Sequence, residues 1–140
     1  MKMPNTPVQA AGEAMPKTTW NASIDFNRHS LKRLSIKDLA TFTDAMTLCH
    51  EAAKGIYNQP RCTDKVRDQL EQFNDFLDNV IEMAGQIARD YVPETREQAS
   101  ERAYLLMRQE TFYTDDFTAL ADTFTQLKAD MEPFLIEGAR

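Results

Sequence analysis

TDKVRDQLEQFNDFLDNVIEMAGQIARDY, running from Thr63 to Tyr91, is the stretch on which the fold turns. Within it Val66, Leu70, Phe73, Leu77, Val80, Ala84, Ile87 and Tyr91 follow one another at alternating steps of four and three residues. That spacing lays one continuous apolar seam along an amphipathic helix, and such a seam requires neighbouring helices to cover it. Phe76 and Ile81 widen the seam enough for two neighbours. Glu71, Asp75, Asp78 and Glu82 recur at the same helical spacing and form a single-sign acidic ridge, expected opposite the seam.

The segments on either side of this helix read in the same way. Ser35, with Asp38 three residues on, marks an N-terminus. Ile36, Leu39, Phe42, Met46, Cys49 and Ala53 then share one face, and Gly55 followed by Ile56 reads as a left-handed stop. Asn58-Gln59-Pro60 supplies a turn, and Thr63 with Asp64 opens the central helix. Gly85 lies inside that helix at a cost of about 1 kcal/mol relative to alanine, which suits the close approach of a neighbour. Pro93 ends the run. A third helix carries Ala99, Ala103, Leu106 and Glu110 in one line, with Leu105 and Met107 beside it. Thr114, ahead of Asp115 and Asp116, predicts the cap of a last helix with Phe117, Leu120, Ala121, Phe124, Leu127, Met131 and Leu135 inward and Pro133 disturbing its end.

The expected architecture is all-α: a four-helix antiparallel up-down bundle over residues 35–140, with helices at about 36–54, 64–91, 95–111 and 115–136. A mobile, basic N-terminal arm, residues 1–34, precedes it. Its first part holds Pro4, Pro7 and Pro16 among small and polar residues, with nothing that can bury a face. From Trp20 onward, Trp20, Ala22, Ile24 and Phe26 alternate with Asn21, Ser23, Asp25 and Asn27, the period of an extended segment with one buried side. Such a segment lies either against another strand or on the bundle, and no second strand is visible in the sequence.

The 140 residues suit one domain, and four glycines are too few for a hairpin-rich β protein. The net charge of −6 is unevenly placed. Lys2, Lys17, Arg28, Lys32, Arg33 and Lys37 outweigh Glu13 and Asp25 in the first part, so the remainder is strongly acidic. Such asymmetry bears on partners rather than on fold. An acidic body is a poor nucleic-acid binder, which leaves residues 28–37 as the only route to that class of partner. Cys49 and Cys62 are expected as free thiols, the first on a buried helix face and the second in a loop. With no secretory pattern at the start and no apolar run of membrane-spanning length, the expectation is a cytoplasmic protein without membrane contact.

The chemistry-bearing patterns are sparse. Only His29 and His50 are present, and neither has a glutamate three residues before it, as a di-metal helical bundle requires. Cys49-His50-Glu51 points its side chains about 100° apart and cannot chelate one ion. No phosphate-cradling glycine loop or nucleophile elbow occurs. No metal, no cofactor and no enzymatic activity are expected.

His29-Ser30-Leu31-Lys32 resembles the His-x-Leu-Lys core of histidine phosphotransfer domains, small four-helix bundles with a phosphorylatable surface histidine. The resemblance implies His29 as the phosphoacceptor. It covers four residues, and Arg33 and Leu34 stand where that family usually has glycine and a small residue.

The charge features and the arm give the remaining candidates. Like charges at Glu71, Asp75, Asp78 and Glu82 repel by a few tenths of a kcal/mol per pair, so the ridge serves either solubility or the docking of a basic surface. Arg28, Lys32, Arg33 and Lys37 form its basic counterpart, available to phosphate, to a second copy, or to the chain's own body. Trp20, the single tryptophan, with Ile24 and Phe26 beside it, is expected either to act as an anchor buried on association or to pack on its own bundle. The functional expectation is a protein–protein interaction or regulatory module that associates through these residues, with a protein partner or a second copy of itself.

Overall fold

The computed structural model describes residues 26–136; Trp20 and Ile24 lie outside the described residues. The described chain is helical throughout its regular elements: α1 (Arg28–Leu31), α2 (Ile36–Tyr57), α3 (Asp64–Asp90), α4 (Arg96–Tyr113) and α5 (Phe117–Ile136). None of these helices is long and apolar enough to cross a membrane.

Local chemistry sets the ends of these helices. Ser35 Oγ caps α2, accepting from the Asp38 amide at 3.1 Å, and donates to Asp38 Oδ2 at 2.6 Å; the carboxylate holds the capping hydroxyl rather than closing the reciprocal bond of a capping box. Thr95 Oγ1 caps α4 through the Gln98 amide at 3.2 Å. The start of α5 differs from expectation. Thr114 Oγ1 accepts from the Asp116 amide, and Asp116 Oδ1 accepts from the Thr118 amide at 2.8 Å, so Asp116 takes the capping role and the helix begins at Phe117. Gly55 does not stop α2, since among the described residues no glycine has positive φ. The helix continues to Tyr57 and ends where Gln59 meets Pro60, because a residue before proline is pushed out of the helical region.

α2 and α3, joined by the turn at 58–63, pack on one another as a hairpin, and α4 packs on α2 and on the C-terminal half of α3. α5 packs chiefly on α4, and α1 lies on α3. The core joins Leu31, Ile36, Leu39, Val80, Ala84, Ile87, Leu105, Leu106 and Leu127. Full burial of each leucine, isoleucine or valine contributes roughly 1.5–3 kcal/mol. Leu77, Val80, Ile81, Ala84 and Ile87 are inside, as the central seam requires. The other end of the seam is not: Val66 is 49% exposed, Phe73 44% and Phe76 42%. The reason is length. α4 ends at Tyr113, whose hydroxyl reaches Asp78, and α3 runs on towards Asp64 for about 20 Å with α2 as its main neighbour.

Three other faces depart from the hydropathy pattern. On α5, Phe117, Phe124 and Leu135, expected inward, are exposed, because the helix packs chiefly on α4 alone and Leu127 is its residue in the core. On α2, His50 is buried and Cys49 is exposed, the reverse of what the apolar stripe suggests. On α4, Arg102 and Gln109 are buried beside Ala99, Leu105 and Leu106, whereas Met107 is 36% exposed. Arg102 is fully partnered on other helices, which offsets its desolvation, whereas His50 and Gln109 each have one contact across helices and one buried atom without a partner.

Candidate functional site

Asp78 is where the acidic ridge meets the rest of the molecule. Its Oδ1 accepts a hydrogen bond from Tyr113 Oη of α4 at 2.9 Å and lies 3.3 Å from His50 Nε2 of α2. One carboxylate therefore links three helices. The His50 ring meets Phe112 edge-on at 5.4 Å between centroids. Its Nδ1 has no hydrogen-bond partner, and Glu51 Oε1 stands 3.6 Å away. A shallow cavity of about 430 Å³, walled by His50, Glu51, Lys54, Asp78, Phe112 and Tyr113, opens over the cluster. The group is a histidine–carboxylate pair with a phenol. Cys49, the nearest thiol in sequence, is turned to solvent, and the cluster cross-links α2, α3 and α4. Among the described residues no set of three or more histidine, cysteine, aspartate or glutamate side chains is placed to hold a metal ion.

The phenol of Tyr113 is held well above its usual range by partial burial, then by its hydrogen bond to Asp78, then by the charges of Asp78 and Glu82. Its neutral form is therefore favoured by folding. That contribution is complete below the ordinary phenol value of about 10 and is lost as pH rises beyond it towards the folded value. Thermal unfolding followed by circular dichroism above pH 10 is expected to show a steeper loss of stability in the wild type than in Tyr113→Phe. Parallel pH curves for the two would contradict this.

A second polar seam joins α2 to α4. Tyr104 Oη donates to Asp44 Oδ2 at 2.9 Å, and Arg108 pairs with Asp44 Oδ1 at 3.3 Å. This hydrogen bond is the main cause of the raised ionisation point of the Tyr104 phenol. A groove of about 340 Å³ with Thr43, Thr47, Leu48, Tyr104, Arg108 and Phe112 on its walls runs alongside.

The remaining ridge residues differ from Asp78. Glu71, Asp75 and Glu82 are exposed, and Glu82 accepts from Gln86 Nε2 at 3.3 Å. The ridge is thus a line of three solvated carboxylates interrupted by one structural carboxylate. The basic cluster is also divided. Arg28 pairs with Asp90 at 2.8 Å and donates to Gln86, and Lys37 reaches Glu97 at 3.5 Å. Exposed pairs like these contribute about 0–1 kcal/mol, but they show the cluster neutralising its own body at both ends. His29, Lys32 and Arg33 are exposed, and His29 sits on the four-residue α1 rather than on one of the long helices.

Phe26 is the described member of the Trp20, Ile24 and Phe26 set. Its ring lies edge-on to Phe42 at 5.2 Å and tilted against Phe76 at 6.1 Å. With Leu31 buried in the core, the packed body extends back to Phe26.

Arg102 is the functional-looking residue that hydropathy reading passes over. Its Nε donates to Ala88 O at 2.8 Å and its Nη2 to Arg89 O at 3.2 Å, while Nη1 pairs with Asp130 of α5. The guanidinium thus satisfies carbonyls at the C-terminal end of α3, where partial negative charge collects, and clasps α5 to the same point. The signal available in sequence was positional: Arg102 and Gln109 fall on the helical line of Ala99, Leu105 and Leu106. Comparison with known protein families, with curated proteins and with solved structures finds no match to this chain.

Proposed function

We propose that this chain is a non-enzymatic interaction module that associates with a second copy of itself, or with a protein partner, through its N-terminal arm and the free half of α3. The observation that carries the reading is the line of Val66, Phe73 and Phe76, each more than two-fifths exposed along one flank of the longest helix. Phe26 packs against Phe76, and Phe73 with Val66 continues that line as apolar surface of the kind an interface buries. Glu71 and Asp75 lie on the other flank of the same segment, where a basic surface would meet them. The proposal takes α2 to α5 as an up-down bundle left open along α3, an arrangement supported by the short connections between consecutive helices.

The test is the mass of the full chain in solution over a range of concentration and salt. The expected mass exceeds that of one chain at high concentration, falls on dilution, and returns to one chain at all concentrations in Phe73→Asp. A single-chain mass for the wild type throughout overturns self-association. Phosphotransfer is a second reading, supported by the exposure of His29. It requires acid-labile phosphate uptake from a phosphorylated receiver domain, absent in His29→Ala; equal labelling of the two disposes of it.

A further inference from the structure

We propose that the groove between α2 and α3, on the side away from α4, is the seat of residues Trp20 to Phe26 of the same chain. The inference rests on the arm and the α3 face of the preceding reading and names what fills that face when the chain is alone.

The course of the chain carries the argument. Arg28 reaches Gln86 and Asp90 near the C-terminal end of α3, whereas Phe26, two residues earlier, stacks on Phe76. Going backwards from Arg28, the chain is therefore heading along α3 towards its N-terminus, into the uncovered half. Phe26 is already seated between Phe42 of α2 and Phe76 of α3. Beyond it the two walls of the groove continue at helical spacing. On α2 come Met46, half-buried, then Cys49, exposed, then Ile56, 49% exposed. On α3 come Phe73 and Val66.

Length and period agree with this seat. Six residues of extended chain span about 20 Å, and the ten residues from Phe76 back to Val66 span about 15 Å of helix. Alternation puts Ile24 and Trp20 on the same side as Phe26, so that Ile24 falls at the level of Phe73 and Trp20 near Val66. There, at the tip of the hairpin, a cavity of about 220 Å³ is lined by Ile56, Arg61, Cys62, Thr63 and Val66. It is mostly apolar, and its one guanidinium is suited to the face of an indole. The apolar stripe of α2 through Phe42, Met46 and Cys49 then has its cover in the arm rather than in another helix.

Trp20, the single tryptophan, reports directly. The experiment is emission and acrylamide quenching of the full chain, at a dilution where its mass is that of one chain. The expected emission is blue-shifted and protected. Val66→Asp and Phe73→Asp, which change half-exposed residues and leave the helical signal intact, shift it to the red and raise quenching several-fold. Phe124→Asp, on α5, leaves it unchanged. In parallel, thiol labelling of Cys49 is expected to quicken several-fold in the full-length Trp20→Ser/Ile24→Ser variant, a measurement that leaves α2 and α3 untouched. Emission of a free indole in the single chain, with unchanged Cys49 labelling, overturns the proposal. A blue shift that arises only on association also overturns it, because the arm then sits on a second copy, and the self-association reading survives. A protected Trp20 in a chain that never associates upholds it and removes that reading instead.

Discussion

Arg102→Ala is expected to lower the unfolding free energy by about 3 kcal/mol, the lower end of what breaking a buried charged network costs. The residue is 8% exposed, and its guanidinium serves three acceptors on two other helices. Removal strands the Ala88 and Arg89 carbonyls at the C-terminal end of α3 and takes from Asp130 its charged partner, leaving it only the bond from Gln126 Nε2 at 3.0 Å. Asp130 is the more hydrated member of the pair, with 24% of its side chain exposed against 10% for Arg102, and water at the carboxylate holds the loss at the low end. For a chain of this size the loss corresponds to a fall of about 10 °C in Tm. Asp130→Asn separates the two roles: the carbonyl bonds persist, and the expected cost is only about 1 kcal/mol. Arg102→Lys does not rescue, because one ammonium cannot reach three acceptors arranged around a planar fork. Denaturant melts of the three variants check the order. A lysine variant as stable as the wild type would show that charge alone, and not the fork, holds α3, α4 and α5 together.

The central helix was legible because its periodicity is strong and its length needs no tertiary information. Leu77, Val80, Ala84 and Ile87 are buried where the seam puts them. What the pattern could not carry was how far the neighbours extend. Phe73 and Val66 continue the stripe without fault, but α4 stops at Tyr113, and stripe residues beyond that level have lost their third helix. The polar interior was illegible for a different reason. Arg102 and Gln109 are ordinary surface types and His50 one of intermediate burial, and each becomes an interior residue through groups distant in sequence: Asp78 for His50, Ala88 O for Arg102, Ile81 O for Gln109. The exchange of Cys49 for His50 on the inner face of α2 follows from this, since Asp78 offers the imidazole a partner that a thiol does not need. Similarly, the acidic ridge was visible as a spacing, while the inward role of Asp78 depended on Tyr113 of α4 arriving beside it.

Gly85→Leu is expected to cost about 3 kcal/mol, even though leucine has the better helix propensity by nearly 1 kcal/mol. A Cβ at position 85 would stand 1.6 Å from Gln109 Oε1 and 2.1 Å from Gln109 Cδ, inside the space the amide occupies. Gln109 is 5% exposed, and its Nε2 donates to Ile81 O at 3.4 Å, a long bond, while Oε1 has no partner. The glycine thus admits a buried and poorly satisfied amide into the α3–α4 crossing. Steric exclusion and polar burial are coupled here, and a cycle of alanine substitutions separates them. Gly85→Ala alone forces the amide out of its slot and is expected to lose about 1–2 kcal/mol, the overpacking cost outweighing the propensity gain. Gln109→Ala alone leaves the slot empty but relieves an unsatisfied carbonyl oxygen, so its cost is smaller, about 1 kcal/mol. In the double variant the new methyl occupies the vacated slot, helix propensity improves, and no polar group is left inside. Its stability is expected to exceed that of Gly85→Ala by at least about 1 kcal/mol, a favourable coupling between residues in contact. Additive losses in the urea melts would mean that the two helices part at Gly85 rather than yielding at the glutamine.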